Sequence, residues 1–311
     1  MGFLASPVAI TVPATSANLG SGFDSFGVAL ELRDTVTAQV TGDKVHVSVT
    51  GEGADELPPD ERHLIAEVML RTFEQLGDQP SGLVLKCANS IPQARGMGSS
   101  SAAIVAGILL ARRLVKGGGD RLSDSEVLQL AAEREGHPDN VAPCLLGGFA
   151  LAWTGSAAPA NAGTKAERLT DAKGVLPVIF VPVQRGYTAQ ARAVLPNVVP
   201  YVDAAFNLSR AALLVRALTG WPEHLFEATD DRLHQQYRAA AMPETNNLVA
   251  DLRDRGIAAM VSGAGPSVLA LVPDEPGRVG EAQRRCPDGW YARSYAVATE
   301  GARFLRLPAL T

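Results

Sequence analysis

The sequence predicts an α+β fold, and three stretches carry that prediction. Val45, Val47 and Val49 alternate with His46, Ser48 and Thr50, the period-two pattern of a strand with one buried face. From His63 to Leu76, the residues Leu64, Ile65, Val68, Leu70, Phe73 and Leu76 fall largely on one helical stripe. Ser101 to Val115 is rich in Ala, Ile, Leu and Val, with no charge before Arg112, as expected of a helix buried on most sides.

The other elements follow in chain order. Val8 to Val12 reads as an edge strand and Leu83 to Ala88 as a further strand. The buried helix stops at the run Gly117, Gly118, Gly119, and Ser123 with Glu126 forms a capping box that opens another helix. That helix carries Val127, Leu128, Leu130 and Ala131 up to Gly136, and it brings Glu133 and Glu135 to its C-terminal end. Carboxylates at the negative end of a helix dipole cost about 0.3 kcal/mol or more each, so a cation or another constraint is expected there. Thr154 to Lys165 is the one long stretch of small and polar residues, including Gly155, Ser156, Ala157, Pro159, Asn161 and Gly163. A domain boundary is expected within it, giving an N-terminal domain over 1–160 and a C-terminal domain over 161–311. Beyond it come a strand near Val178 to Val183, a helix after Thr188 and a long helix from Val202 to Leu218. Two strands, Ile257 to Met260 and Ser267 to Val272, are then joined by a glycine turn.

Composition bounds the possible partners. The 311 residues are 46% hydrophobic and 20% charged, enough to bury a core in one large or two medium domains. The net charge is -5 with scattered Lys and Arg, so neither nucleic acid nor an anionic membrane is expected as a partner. Cys87, Cys144 and Cys286 are odd in number and follow no metal-ligand spacing, which suits reduced thiols and a cytoplasmic setting. No apolar run approaches the roughly 18 residues of a spanning helix, and no signal core follows the N-terminus. Met1 to Ser6 satisfies the loose N-myristoylation pattern, but an apolar strand begins two residues later and is the preferred reading.

Four segments hold chemistry-bearing residues. Pro92-Gln93-Ala94-Arg95-Gly96-Met97-Gly98-Ser99-Ser100-Ser101-Ala102 lies between a strand and the buried helix. Its glycines let the backbone turn tightly, and the unpaired amides at the helix start then point at an anion, as in a phosphate cradle. No Gly-Lys-Ser/Thr follows, so this is not a Walker loop. The phosphate charge falls to amides, a metal and Arg95, with Ser100 as an oxygen ligand for Mg2+. Ser262-Gly263-Ala264-Gly265-Pro266-Ser267 is longer than a hairpin turn requires, so it packs closely against something or is a loose connection. Asn18-Leu19-Gly20-Ser21-Gly22-Phe23-Asp24 sets an amide and a carboxylate around a glycine turn; it suits a polar substrate and equally an Asx-capped turn. Glu135-Gly136-His137-Pro138-Asp139-Asn140 gathers polar groups at a proline corner.

Taken together, these segments resemble the GHMP kinases, the family named for galactokinase, homoserine, mevalonate and phosphomevalonate kinases. Asn18 to Asp24 looks like the first family motif, Pro92 to Ala102 the second and Ser262 to Ser267 the third, in the right order over nearly the whole chain. The pairing of Asn-Leu-Gly-x-Gly-Phe-Asp at 18–24 with Gly-His-Pro-Asp-Asn at 136–140 is similar to homoserine kinases in particular. Thr188-Ala189-Gln190-Ala191-Arg192 before Leu195-Pro196, and Arg238 ahead of Met242-Pro243, fit the same pattern, whereas Ser21 stands where that motif usually has proline.

The resemblance implies a two-domain GHMP kinase fold, with an N-terminal ATP-binding domain like ribosomal protein S5 domain 2 and a ferredoxin-like C-terminal domain. It implies ATP as co-substrate, Mg2+, L-homoserine as acceptor, O-phospho-L-homoserine for threonine biosynthesis as product, and a homodimer. Pro92, Arg95, Gly96, Met97, Gly98, Ser99, Ser100, Ser101 and Ala102 would hold ATP; Ser100 with Glu135 or Glu133 would hold the metal. Asn18, Asp24, His137, Asp139, Arg192 and Arg238 would line the acceptor pocket. Either Arg192 or Arg238 would take an α-carboxylate and either Asp24 or Asp139 an α-ammonium. Asp24, Ser100 and Glu135 are the catalytic candidates, with no side chain assigned as base. The alternatives are a GHMP kinase for a mevalonate- or sugar-like alcohol and a non-catalytic nucleotide-binding regulator.

Overall fold

The computed structural model describes residues 2–155, 163–169 and 174–306. The first part of the chain runs β1 (Val8–Ala17), β2 (Phe26–Val40), β3 (Val45–Gly51), α1 (Leu64–Gln75), β4 (Leu83–Asn89) and α2 (Ser99–Leu114). It continues through α3 (Gly118–Arg121), α4 (Asp124–Glu135), α5 (Val141–Leu146), β5 (Phe149–Thr154) and β6 (Thr164–Leu169). The second part holds β7 (Val175–Val181), α6 (Thr188–Ala193), α7 (Tyr201–Leu218), α8 (Leu225–Ala228), α9 (Gln235–Arg238) and α10 (Pro243–Arg253). It ends with β8 (Ala258–Val261), β9 (Val268–Pro273), α11 (Arg278–Gln283), β10 (Tyr291–Ser294) and β11 (Arg303–Leu305).

A seven-stranded sheet has the order β11-β1-β2-β4-β3, with β5 beside β2 and β6 outside β5. β3 and β4 are parallel, and α1 lies on the crossover that a parallel pair requires. α1 and α2 cover the sheet, burying Ile65, Val68, Met69 and Phe73 together with Ile104, Val105 and Ile108, at about 1.5–3 kcal/mol for each large side chain. β1 is not an edge strand as expected: β11 pairs with its Ala9 to Thr11 on one side and β2 runs along the other. Its outer neighbour comes from nearly 300 residues away in sequence, so no local pattern announces the pairing. Pro13, which cannot donate to a ladder, sits where the β1–β2 register shifts.

The boundary expected at 160/161 also moves. β5 and β6 pair from Phe149↔Leu169 to Thr154↔Thr164, so the chain on either side of the small, polar stretch belongs to the first sheet; residues 156–162 lie outside the described residues. The change of sheet falls between Leu169 and Val175. Turns and linkers share one composition, so only the pairing separates them.

The second sheet is antiparallel, in the order β10-β7-β9-β8. Along β7, Val178 and Phe180 pack on Leu248, Leu252 and Ala282 of α10 and α11. Ile179 and Val181 face the other way, into a core that includes Leu214, Ala217 and Leu218 of α7 and is continuous with that of the first domain. This shared core holds the loops of the two domains together.

One buried carboxylate gives a stability prediction. Asp34 on β2 accepts from the amides of Ser90 (2.6 Å) and Ile91 (2.9 Å). Burial outweighs those bonds and pushes its carboxyl up from 3.8 to about 6. The folded chain thus binds this proton more tightly than the unfolded chain and loses stability as pH rises through that window, by about 3 kcal/mol in all. Asp34→Asn keeps an acceptor for both amides, so chemical denaturation near neutral pH should show it as stable as the unmodified chain or more so. The difference should close towards about pH 4; marked destabilisation at neutral pH would contradict this.

Candidate active site

Three loops meet at one cavity of about 240 Å³. The loop before α2 forms one wall, the turn from Asn18 another, and the β8–β9 turn a third. They are tied by specific bonds. Ser262 Oγ donates to Gly96 O (2.6 Å) and shares a hydrogen bond with Ser16 Oγ (2.8 Å). Asn18 Nδ2 donates to Gly263 O (2.8 Å), while Asn18 Oδ1 accepts from the Asp24 amide (3.0 Å). The Thr15 amide donates to Met97 O (3.1 Å). The β8–β9 turn is therefore not a loose connection but the brace of the other two loops. Asn18 lines the cavity with both ends of its amide engaged.

The loop before α2 presents the kind of backbone arrangement that suits an anion. The backbone amides of Gly96 through Ser101 donate to no group among the described residues. The first turn of a long helix leaves its amides unpaired and gives them a partial positive charge. Gly96 has φ +68° and an added Cβ would lie 2.2 Å from Ser262 O and 2.9 Å from Gly265 O. Gly96→Ala must therefore push the brace away and is expected to cost about 2 kcal/mol or more. Denaturation should show that loss, and unchanged stability would contradict it.

At the mouth of this loop Ser100 Oγ donates to Glu135 Oε2 (2.9 Å). Glu135 is half-buried at the C-terminal end of α4, whereas Glu133 is exposed and accepts instead from Gln129, one turn back. Of the two metal candidates the structure brings only Glu135 to the cavity. The capping box at the other end of α4 is present as expected.

The far end of the cavity carries the charges. Arg192 on α6 holds both carboxylate oxygens of Asp24, at 2.5 and 3.0 Å. His137 Nδ1 lies 2.5 Å from Asp139 Oδ1. Burial lowers the His137 imidazole, but the Asp139 hydrogen bond and charge more than offset it, so its pKa is raised overall. Asp139 is 1% exposed, and its Oδ2 has no hydrogen-bond partner among the described residues. Arg238, also 1% exposed, donates from Nε to Ala191 O (3.0 Å) and from Nη1 to His234 Nδ1 (3.1 Å). Its Nη2 has no partner among the described residues. Burial, then the Arg192 charge, pushes the Arg238 pKa down.

Other expected residues are engaged within the chain. The Arg95 guanidinium, at the cavity lining, donates to the carbonyls of Pro182 (2.9 Å), Gln93 (2.8 Å) and Val183 (2.6 Å). Its side chain joins the loop to the second domain, and only its backbone belongs to the cradle. The Ala102 amide is already bonded to Gly98 O (2.9 Å) and is not available to a ligand. Pro92 and Ser101 lie outside the cavity lining, Met97 packs its side chain in the core, and Ser101 Oγ is buried with no hydrogen-bond partner among the described residues. The Ser21 hydroxyl, standing in the usual proline position, bonds Ala228 O (2.7 Å) and anchors the turn that way.

Sequence reasoning missed two features. His234, fully buried, stands one turn ahead of Arg238 and bonds it; that spacing was the available signal. A second, mostly apolar cavity of about 220 Å³ opens on the other side of Ser99 and Ser100, between Val12, Leu64 and Ile65. His63 Nδ1 accepts from the Ile65 amide (3.2 Å), leaving a buried, unpartnered Nε2 at that cavity. Nothing in the sequence pattern separates His63 from an ordinary helix cap.

Comparison with known proteins agrees with this geometry. The family model of the GHMP kinases N terminal domain matches residues 63–148, and that of the GHMP kinases C terminal matches 209–292. The chain is 50% identical over 307 residues to a homoserine kinase of Streptomyces avermitilis, covering 99% of this chain and 98% of that one. It is also 50% identical to a homoserine kinase of Streptomyces coelicolor, covering 98% of this chain and 96% of that one. Among solved structures, homoserine kinase from Cytophaga hutchinsonii superposes with a TM-score of 0.78 at 25% identity, over 96% of this chain and 97% of that one. L. major mevalonate kinase shares the fold at 15% identity and a TM-score of 0.65, over 92% and 94% of the two chains. With both family domains matched in order around a cradle of unpaired amides, and half the residues shared nearly end to end with such relatives, the chain belongs to the GHMP kinase family.

Proposed function

We propose that the chain transfers the terminal phosphate of ATP to the side-chain hydroxyl of L-homoserine, giving O-phospho-L-homoserine for threonine biosynthesis. The observation that carries this reading is one cavity that joins unpaired amides, Gly96 to Ser101, to a buried arginine and a buried carboxylate, each with a free polar atom. The amides and the α2 dipole suit the phosphates. Arg238 Nη2 suits an α-carboxylate and Asp139 Oδ2 an α-ammonium, a pair that an amino acid presents together. Homoserine phosphorylation is also the activity named for the half-identical relatives. The adjoining apolar cavity suits the purine base, with His63 Nε2 as its donor.

Ser100 and Glu135 offer two oxygen donors in contact at the cradle's edge, which suits Mg2+. When bound there, Mg2+ supplies charge neutralisation at the transferring phosphate. The residues of the chain align the reactants and exclude competing geometries, and phosphoryl transfer through a loose transition state asks chiefly for that. Asp24, with both oxygens on Arg192, holds the acceptor end together rather than taking the hydroxyl proton, which passes to the phosphate. A cytoplasmic homodimer belongs to this reading. No helix of the described residues is long and apolar enough to cross a membrane.

A coupled assay of ADP release with Mg·ATP and homoserine, serine, mevalonate or galactose tests it. Homoserine should exceed each of the others in kcat/KM by at least about tenfold. Faster turnover of mevalonate or galactose would overturn the proposal in favour of another alcohol, and no ADP release with any acceptor would favour a regulator.

A further inference from the structure

Arg238 Nη1 can only donate, so His234 Nδ1, 3.1 Å away, must accept. The single proton of a neutral imidazole then sits on Nε2, which lies 2.9 Å from Gly20 O, a group that can only accept. Bonds at both ends of the ring thus select one tautomer. The ring is fully buried and stacked on Phe23, with centroids 5.0 Å apart and planes at 27°. Arg238 itself lies 5.6 Å from the Phe23 centroid. The charged groups around the imidazole are Arg238, Asp231 and Asp24; burial and Arg238 disfavour its protonation and outweigh the pull of the carboxylates. The Asp231 carboxylate is occupied in accepting from the amides of Leu233, His234 and Gln235.

We propose that His234 is a positioning residue for acceptor specificity: its Nε2–H tautomer fixes Arg238 through Nη1 and leaves Nη2 free for the carboxylate of the acceptor. The inference rests on the reading of Arg238 as the carboxylate partner. His234 touches no reactant. Its effect passes through Arg238, so it should be felt only by acceptors that carry a carboxylate.

Two substitutions separate the ends of the ring. The amide oxygen of asparagine comes near the imidazole Nδ1 position, so H234N can keep an acceptor for Arg238 while losing the Gly20 bond. The amide nitrogen of glutamine comes near the Nε2 position, so H234Q keeps the Gly20 bond and loses the nearer acceptor, leaving Arg238 Nη1 only the long bond to Gly263 O (3.4 Å). Steady-state kinetics with L-homoserine should show KM raised about tenfold in H234Q and less than about threefold in H234N, the energy of one charged hydrogen bond separating them. In both, kcat and KM for ATP should change by less than about twofold, and kcat/KM for propanolamine, which lacks the carboxylate, should not change. The reverse order of the two variants, equal loss in both, or an equal loss with propanolamine would overturn the proposal. Should H234Q fail to fold, nitrogen NMR of the unmodified protein decides: a protonated Nε2 and an unprotonated Nδ1 whose resonance moves on adding homoserine support it, and a protonated Nδ1 overturns it. Lack of homoserine turnover by the unmodified protein would instead remove the substrate reading, before any variant is made.

Discussion

Glu135→Gln is expected to lower kcat by about 100-fold and to raise the magnesium concentration needed for half the maximal rate. Glu135 ends α4, where the dipole of the helix disfavours a carboxylate, and the Gly136 cap with φ +89° turns the chain away immediately after it. A carboxylate held there against local preference, with Ser100 Oγ at 2.9 Å, has its reason in the cavity it faces. The amide keeps the shape and the bond to Ser100 but removes the charge, so the loss reads charge and not packing. Ser100→Ala should shift the magnesium dependence in the same direction by a smaller factor, because a neutral hydroxyl is the weaker ligand. A magnesium titration of Glu135→Gln that overlays the unmodified enzyme would take Glu135 off the metal.

The second large effect is expected at Arg238. Arg238→Lys should raise KM for homoserine by about 10- to 100-fold, the equivalent of roughly 1–3 kcal/mol for a lost charge-assisted hydrogen bond and its positioning. Arg238 uses Nε for Ala191 O and Nη1 for His234, which leaves Nη2 for a ligand. A lysine ammonium is a single centre and cannot hold these three directions at once. Arg192 would not serve in its place while its guanidinium is held by Asp24. The KM for ATP should stay within about twofold, since the cradle is made of backbone amides. An unaltered homoserine KM would assign the carboxylate elsewhere.

Much of this was legible in the sequence because it is written in local pattern. The valine alternation in β3, the stripe of α1, the capping box of α4 and the glycines of the cradle each depend on neighbours a few residues away. The family resemblance gathered Asn18 to Asp24, Pro92 to Ala102 and Ser262 to Ser267 as three motifs in order, and the structure brings Ser262 to the cradle and Gly263 to the Asn18 side chain. What stayed hidden depends on distant pairing. Whether the chain changes sheet before or after β6 rested on β6 finding β5, and whether β1 lay at an edge rested on β11 returning to it. Arg95 has the charge that suits a phosphate, yet carbonyls at Pro182 and Val183 take it. Glu133 and Glu135 are equivalent in composition, and only the turn of α4 sends one outward to Gln129 and the other to Ser100. His234 carried a spacing signal, one turn from Arg238, but its meaning required seeing Gly20 O at the far side of the ring.

The most direct test is a crystal structure of the protein with a non-hydrolysable ATP analogue, magnesium and L-homoserine. The phosphates should lie within hydrogen-bond distance of the amides between Gly96 and Ser101, with the homoserine carboxylate on Arg238 and its hydroxyl turned to the terminal phosphate. A nucleotide bound away from those amides, or an amino acid whose carboxylate avoids Arg238, would contradict it.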